Sequence, residues 1–204
     1  MQKLQPDHIY HIYNHANGYD LLFRKEENYY YFLEKWKKYI LPIADTYAYC
    51  LMPNHFHFLI RIKERKVLLN LNLRGLRNLE GLDDKISSYL SQQFSNLFNG
   101  YTKAINKRYN RYGSLFCPRF KRKLIDSESY LYNVLAYIHQ NPVWHGFVPR
   151  EEDWTFSSWH EYYKENSWID KCLMYDKFDT LDQFQKWQDG IAKSKSDKLS
   201  KELE

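Results

Sequence analysis

Two apolar runs, residues 43–51 and 56–60, are separated only by Met52, Pro53, Asn54 and His55, and this arrangement most restricts how the chain can fold. Each run has strand length and composition, and a proline-asparagine turn between two such runs predicts an antiparallel hairpin. A strand sends alternate side chains to opposite faces. His55 and His57 therefore point one way, and Phe56 and Phe58 the other. Two imidazoles side by side need something to satisfy their nitrogens. A divalent metal does this well, because neutral imidazole is the commonest protein metal ligand. A half-exposed strand showing both rings to water fits the pair as well, so the pair needs partners elsewhere in the chain.

The 204 residues suit one domain with an appendage and can bury a real core. The 19 Tyr, 12 Phe and 6 Trp supply that core and mark a globular chain. Three widely spaced cysteines, Cys50, Cys117 and Cys172, form no Cys-x-x-Cys pair. They argue against a disulfide framework or a cysteine zinc site and fit a reducing cytoplasm. The polar opening of the chain shows no secretory signal, and no apolar run reaches membrane-span length. The expectation is a cytoplasmic protein with no membrane partner.

The net charge of +5 is unevenly spread. Residues 1–149 hold 21 basic and 12 acidic side chains, whereas residues 150–204 hold 9 and 13. No acid lies between Asp84 and Asp126, a window carrying Lys85, Lys103, Lys107, Arg108, Arg111, Arg119, Lys121, Arg122 and Lys123. Tyr101, Tyr109, Tyr112, Phe116 and Phe120 are interleaved with these bases. Basic side chains neutralise phosphates and aromatic faces stack on unpaired bases. From Lys103 onward these bases are the candidate DNA-binding residues. The competing expectation is a solvated face with an ordinary core stripe.

Residues 8–13 read as a first strand followed by a turn over 14–18. Residues 26–40 read as a helix, with Tyr29, Phe32, Leu33, Trp36 and Ile40 at helical spacing. After a connector over 67–82, a long amphipathic helix is expected from Lys85 to Tyr109, ended by Gly113. Residues 114–125 look extended, with Pro118 suggesting a sheet edge. A last helix of this region is expected from Ser127 to Gln140, ended by Asn141-Pro142. On it Tyr137 and Asn141 stand four apart and share a face. A tyrosine hydroxyl is a candidate nucleophile toward a phosphate, and an amide oxygen one turn on could complete a metal site begun by two histidines. Spacing alone equally allows one tyrosine among 19 and an asparagine that merely stops a helix.

Three blocks in order carry a resemblance. They are Met52-Pro-Asn-His-Phe-His57, the stretch from Tyr101 to Lys121, and Ala136-Tyr-Ile-His-Gln-Asn-Pro-Val143. Together they resemble the single-tyrosine HUH transposases, above all the REP-associated tyrosine transposase branch, over residues 8–150. The resemblance implies an α+β fold, a central antiparallel sheet of ferredoxin-like HUH type with helices packed on it, and a C-terminal helical extension. It implies that His55 and His57 hold a divalent ion, Mg²⁺ or Mn²⁺, with Asn141 as an amide ligand where some relatives carry Gln. It implies Tyr137 as the nucleophile that forms a 5′-phosphotyrosine with single-stranded or hairpin DNA, as a monomer or a homodimer. The ligand set by itself would equally suit zinc.

Two other functions stay open. One is a metal-dependent hydrolase or structural zinc site, which needs a third histidine or a carboxylate near the pair; His11 is the candidate, with His8, His15, His139 and His145 further choices. The other is a retired transposase that binds hairpin DNA without cutting it. Residues 151–190 are expected to pack on the main domain as a C-terminal extension. Trp154, Phe156 and Trp159 would anchor it, and Leu181, Phe184 and Trp187 would mark a last amphipathic helix. Residues 191–204 are expected to be a disordered tail.

Overall fold

The computed structural model describes residues 3–71 and 81–194. Of the tail expected over 191–204, residues 191–194 belong to the last helix, and residues 195–204, like most of the connector over 67–82, lie outside the described residues. Four strands, β1 (Ile9–His15), β2 (Ala44–Met52), β3 (His55–Ile62) and β4 (Lys121–Leu124), form one sheet in the order β2-β3-β1-β4. Every pairing is antiparallel. The hairpin closes where Met52 pairs with His55 across Pro53-Asn54.

Two long helices, α1 (Glu26–Tyr39) and α3 (Leu82–Tyr109), cover one face of this sheet. Their aromatic stripes meet the strand residues that point away from the histidines. Trp36 stacks on Phe58 with ring centroids 3.5 Å apart, and its indole N–H donates to Thr46 Oγ1 at 3.0 Å. Phe32 packs on Phe56, and Tyr101 meets Phe32 edge-on. Burying each such ring stabilises the fold by roughly 1.5–3 kcal/mol. A short helix, α2 (Arg65–Asn70), follows β3. The opposite face receives α4 (Glu128–Trp144), which lies over β2 and β3.

After a turn of 3-10 helix at Glu151–Asp153 come α5 (Trp159–Tyr162), α6 (Cys172–Tyr175) and α7 (Leu181–Ser194). This extension docks along the outer edge of β2. Leu51 N–H donates to the Phe156 carbonyl at 2.9 Å, and Ser158 N–H donates to the Tyr49 carbonyl at 2.8 Å. A bulge between Thr46 and Ala48 interrupts the register there, and the Tyr47 carbonyl accepts from Tyr162 Oη at 2.8 Å. The extension thus supplies partners for an edge that would otherwise invite strand pairing.

Several boundaries differ from the sequence expectation. β1 runs on to His15, two residues past its expected end and into the expected turn, which places His15 opposite His55. α3 begins at Leu82, where Asp83 and Asp84 favour its first turn. It ends at Tyr109, as expected, but because Asn110 adopts a left-handed cap (φ 47°) three residues ahead of Gly113. Of the extended stretch 114–125, only Lys121–Leu124 forms a strand, at the sheet edge but without Pro118.

The largest correction concerns α4, which passes through Asn141-Pro142 and continues to Trp144. Pro142 has no N–H for the Ile138 carbonyl. The turn is nevertheless held by tertiary packing, since both Asn141 and Pro142 are buried, and by His145 N–H donating to the Asn141 carbonyl at 3.1 Å.

Candidate active site

Residues paired across neighbouring strands share a face. β3 pairs with β1 as His55 with His15 and His57 with Tyr13, and β1 pairs with β4 as Tyr13 with Lys121 and His11 with Lys123. One face therefore gathers His11, Tyr13, His15, His55, His57, Lys121 and Lys123. α4 lays Tyr137 and Asn141 over it, one turn apart. The Tyr137 ring meets His57 edge-on at 5.1 Å between centroids and His11 at 6.0 Å, with Trp144 at 5.6 Å. His55 and His57 stand 5.3 Å apart, ring to ring.

The site is closed in this structure, since His55, His57, Tyr137 and Asn141 are each 3% exposed or less. Their surroundings are polar and aromatic rather than aliphatic. His55 Nδ1 lies 2.8 Å from Asn54 Oδ1, and His55 Nε2 lies 2.9 Å from Asn141 Oδ1. His57 Nδ1 lies 2.9 Å from His11 Nε2. His57 Nε2 is buried and has no hydrogen-bond partner among the described residues. Burial holds His55 down to about 4, despite the opposing hydrogen bond to Asn141 Oδ1, and His15 and His145 add to the depression. Burial also puts His57 well below the usual imidazole value, with His11 and His55 adding to it. Both rings are therefore neutral near pH 7, the form that ligates metals.

This donor set fits a divalent cation. A neutral His55 that donates from Nδ1 to Asn54 turns its Nε2 lone pair toward the Asn141 carbonyl oxygen. Two acceptors face each other there, an arrangement that a shared cation reconciles. Adjacent ligands around an octahedral ion with bonds of 2.0–2.1 Å lie about 3 Å apart, close to the His55–Asn141 spacing. Among the described residues, no three His, Cys, Asp or Glu side chains converge into a metal-holding group. His11, the extra histidine a hydrolase centre would need, does stand beside the pair, but its Nε2 faces His57 Nδ1, whereas the group facing His55 Nε2 is the Asn141 amide oxygen.

The basic window divides when placed on the fold. Lys121 and Lys123 are exposed on the histidine face, whereas Arg122, between them, points to the opposite face. There its guanidinium sits over the Phe120 ring and reaches Ser91 Oγ at 3.3 Å. Lys103, Lys107 and Arg108 lie exposed on α3, and Arg108 pairs with Glu27 at 2.9 Å. Arg119 is exposed in the loop before β4 with φ 62°. Arg111 is turned inward, held by Asp20 at 2.5 Å, by Asn106 and by the Ser114 carbonyl. The counter-charges missing from the window thus come from α1 and from the loop after β1.

His139 faces away from Tyr137 into the extension, where Ser158 Oγ lies 2.7 Å from its Nε2 and Gln188 Nε2 lies 2.9 Å from its Nδ1. His145 is exposed and packs against His55, and His15 stacks on the same ring at 5.0 Å. Asn54 and Trp144 are site residues that sequence reasoning missed, and His15 entered it only as one of several histidines that could join the pair. The alternation His11, Tyr13, His15 carried the signal for His15, because a strand of that length places all three on one face.

No protein-family model matches the chain. A curated protein of Haemophilus influenzae, provisionally named a REP-associated tyrosine transposase, is 31% identical over 121 residues, covering 57% of this chain and 59% of the relative. The chain is a homologue of that protein. It spans about three fifths of the relative's length. The solved structure of a REP-associated tyrosine transposase bound to a REP hairpin superposes with a TM-score of 0.51 at 17% identity. That likeness covers 78% of this chain and 81% of the other, and it shows the fold: an antiparallel sheet with helices packed on it. Among the described residues, no helix is long and apolar enough to cross a membrane.

Proposed function

We propose that this protein is a single-tyrosine transposase that cleaves and rejoins single-stranded DNA at hairpin-flanked sites. The observation that carries the reading is the convergence of Tyr137 and Asn141, from one face of α4, on His55 and His57 of β3. The REP-associated homologue supports a transposase, and the hairpin bound by the structural neighbour supports this class of DNA.

His55, His57 and Asn141 would hold Mg²⁺ or Mn²⁺. When bound, the ion supplies Lewis-acid polarisation of a phosphoryl oxygen. Tyr137 Oη loses its proton and bonds to the scissile phosphorus. The bond from phosphorus to the 3′ oxygen breaks, and that oxygen leaves as a 3′-hydroxyl after taking up a proton. The product is a 5′-phosphotyrosine. Attack by the 3′-hydroxyl of another strand reverses the exchange, and one phosphodiester replaces another without an external energy source. Lys121 and Lys123, on the same face, would steady the phosphates beside the cut. Because Tyr137 is buried, the site opens before a scissile phosphate reaches it. No part of this scheme requires a second copy of the chain.

A labelled hairpin oligonucleotide with single-stranded flanks, incubated with the protein and Mg²⁺ or Mn²⁺, should give an adduct that survives denaturing electrophoresis. Tyr137→Phe should lose the adduct and keep DNA binding, and His55→Ala should lose it as well. A parent protein that binds such hairpins and never forms an adduct is instead a DNA-binding protein without catalysis.

A further inference from the structure

His11 lies on β1 diagonally across from His57, fully buried, with no part in the chemistry above. It is wedged between three rings. It stacks on Tyr13 at 4.7 Å and on His57 at 5.1 Å, and meets Tyr137 edge-on at 6.0 Å. Its Nε2 lies 2.9 Å from His57 Nδ1. The remaining nitrogens of the two rings, His11 Nδ1 and His57 Nε2, are buried without a hydrogen-bond partner among the described residues.

A hydrogen bond between two neutral imidazoles can run in either direction, and each direction fixes both tautomers. If His11 Nε2–H donates, His57 carries its proton on Nε2 and cannot ligate through that atom. Two buried polar atoms then stay unsatisfied, each costing roughly 1–3 kcal/mol. If His57 Nδ1–H donates, the His57 Nε2 lone pair is open to a cation, and a bound ion satisfies it. In the first direction the bare nitrogen is His11 Nδ1; only the second turns a His57 lone pair to the ion that His55 and Asn141 would share. Metal-ligating histidines commonly give their other N–H to a fixed acceptor that sets tautomer and ring orientation. Asn54 Oδ1 stands in that relation to His55 Nδ1.

We infer that His11 is a positioning residue: by accepting a hydrogen bond from His57 Nδ1, it holds His57 in the tautomer that presents Nε2 to the divalent ion. The role rests on the metal-dependent reading of the site. It differs from that of a third ligand, because the His11 atom nearest His57 faces Nδ1 and not the open Nε2. The same contact braces the His57 ring against Tyr137.

Titration calorimetry with Mn²⁺ on the full chain tests this, comparing the parent with His11→Phe and His11→Gln. Phenylalanine keeps the ring stack and removes the acceptor, whereas the Gln amide oxygen can reach close to the place of Nε2. Mn²⁺ affinity should fall roughly 10- to 100-fold in His11→Phe. It should return to within a few-fold of the parent in His11→Gln. Long-range ¹H–¹⁵N spectra of the Mg²⁺-loaded parent should show His57 protonated on Nδ1 and bare on Nε2. Circular dichroism checks that the variants fold, and the spectra of the parent need no variant at all.

Two results overturn the inference alone: a folded His11→Phe that binds Mn²⁺ like the parent, or a His11→Gln as weak as His11→Phe. A Mg²⁺-loaded His57 protonated on Nε2 overturns it together with His57 as a ligand. A parent that binds neither Mn²⁺ nor Mg²⁺ overturns the metal reading itself and the role of His11 with it.

Discussion

Acidification should unfold this protein well above the pH at which carboxylates titrate. His11, His57 and His139 are 0% exposed and His55 is 3% exposed. Burial lowers all four imidazoles from an ordinary value near 6.5: His11 and His139 to about 3, His55 to about 4, and His57 well below. Between pH 6.5 and 4 the unfolded chain therefore binds protons that the folded chain refuses. The stabilisation is present above 6.5 and lost as pH falls, because the unfolded state binds more protons throughout that window. Each histidine contributes roughly 1.4 kcal/mol per pH unit, and the four together on the order of 5 kcal/mol per unit. Total stabilities of roughly 5–15 kcal/mol are usual, so a fall of one to two pH units should be enough to unfold the domain.

Urea unfolding followed by tryptophan fluorescence, at steps from pH 7.5 to 5 in EDTA, would measure this slope. His139 is remote from the histidine face and serves as the control. His139→Gln should lower the overall stability and also flatten the pH slope by about a quarter, one proton of four. A urea midpoint that stays level between pH 7 and 5 would refute the reasoning. So would a slope unchanged in His139→Gln.

Three further outcomes follow from how the basic window divides. Replacing Lys121 and Lys123 together by Ala should weaken binding of single-stranded DNA and flatten the plot of log affinity against log salt by a little over one unit, at about 0.7 per phosphate contact. Arg122→Ala should leave that slope unchanged in the same titration and lower the urea midpoint. Arg111→Ala removes one of the two arginines on Asp20 and the partner of Asn106 and should cost about 1 kcal/mol in urea unfolding, again with the salt slope unchanged. A flattened slope in Arg111→Ala would place that guanidinium on DNA rather than on Asp20.

The hairpin and its histidine pair were legible because a strand's alternation is fixed by backbone geometry, and so was the shared face of Tyr137 and Asn141. The passage of α4 through Pro142 was not. The local rule disfavours a helical residue before proline, and only the burial of Asn141 and Pro142 against the sheet overrides it. Counter-charges were equally hidden. Glu27 and Asp20 lie 81 and 91 residues from Arg108 and Arg111 in sequence, so no window of charge along the chain could reveal the pairing. The third row of the site came from β1, whose His-x-Tyr-x-His pattern shows its orientation only once its register with β3 is known.

The central claim is that Tyr137 becomes covalently joined to DNA, and peptide mapping tests it most directly. The adduct formed on a hairpin oligonucleotide would be digested with nuclease and protease, and the nucleotide-bearing peptide located by mass spectrometry. A nucleotide joined through a 5′-phosphate to Tyr137 is the predicted result. The same mass carried by Tyr130, Tyr132 or any other tyrosine, with Tyr137 unmodified, would contradict it.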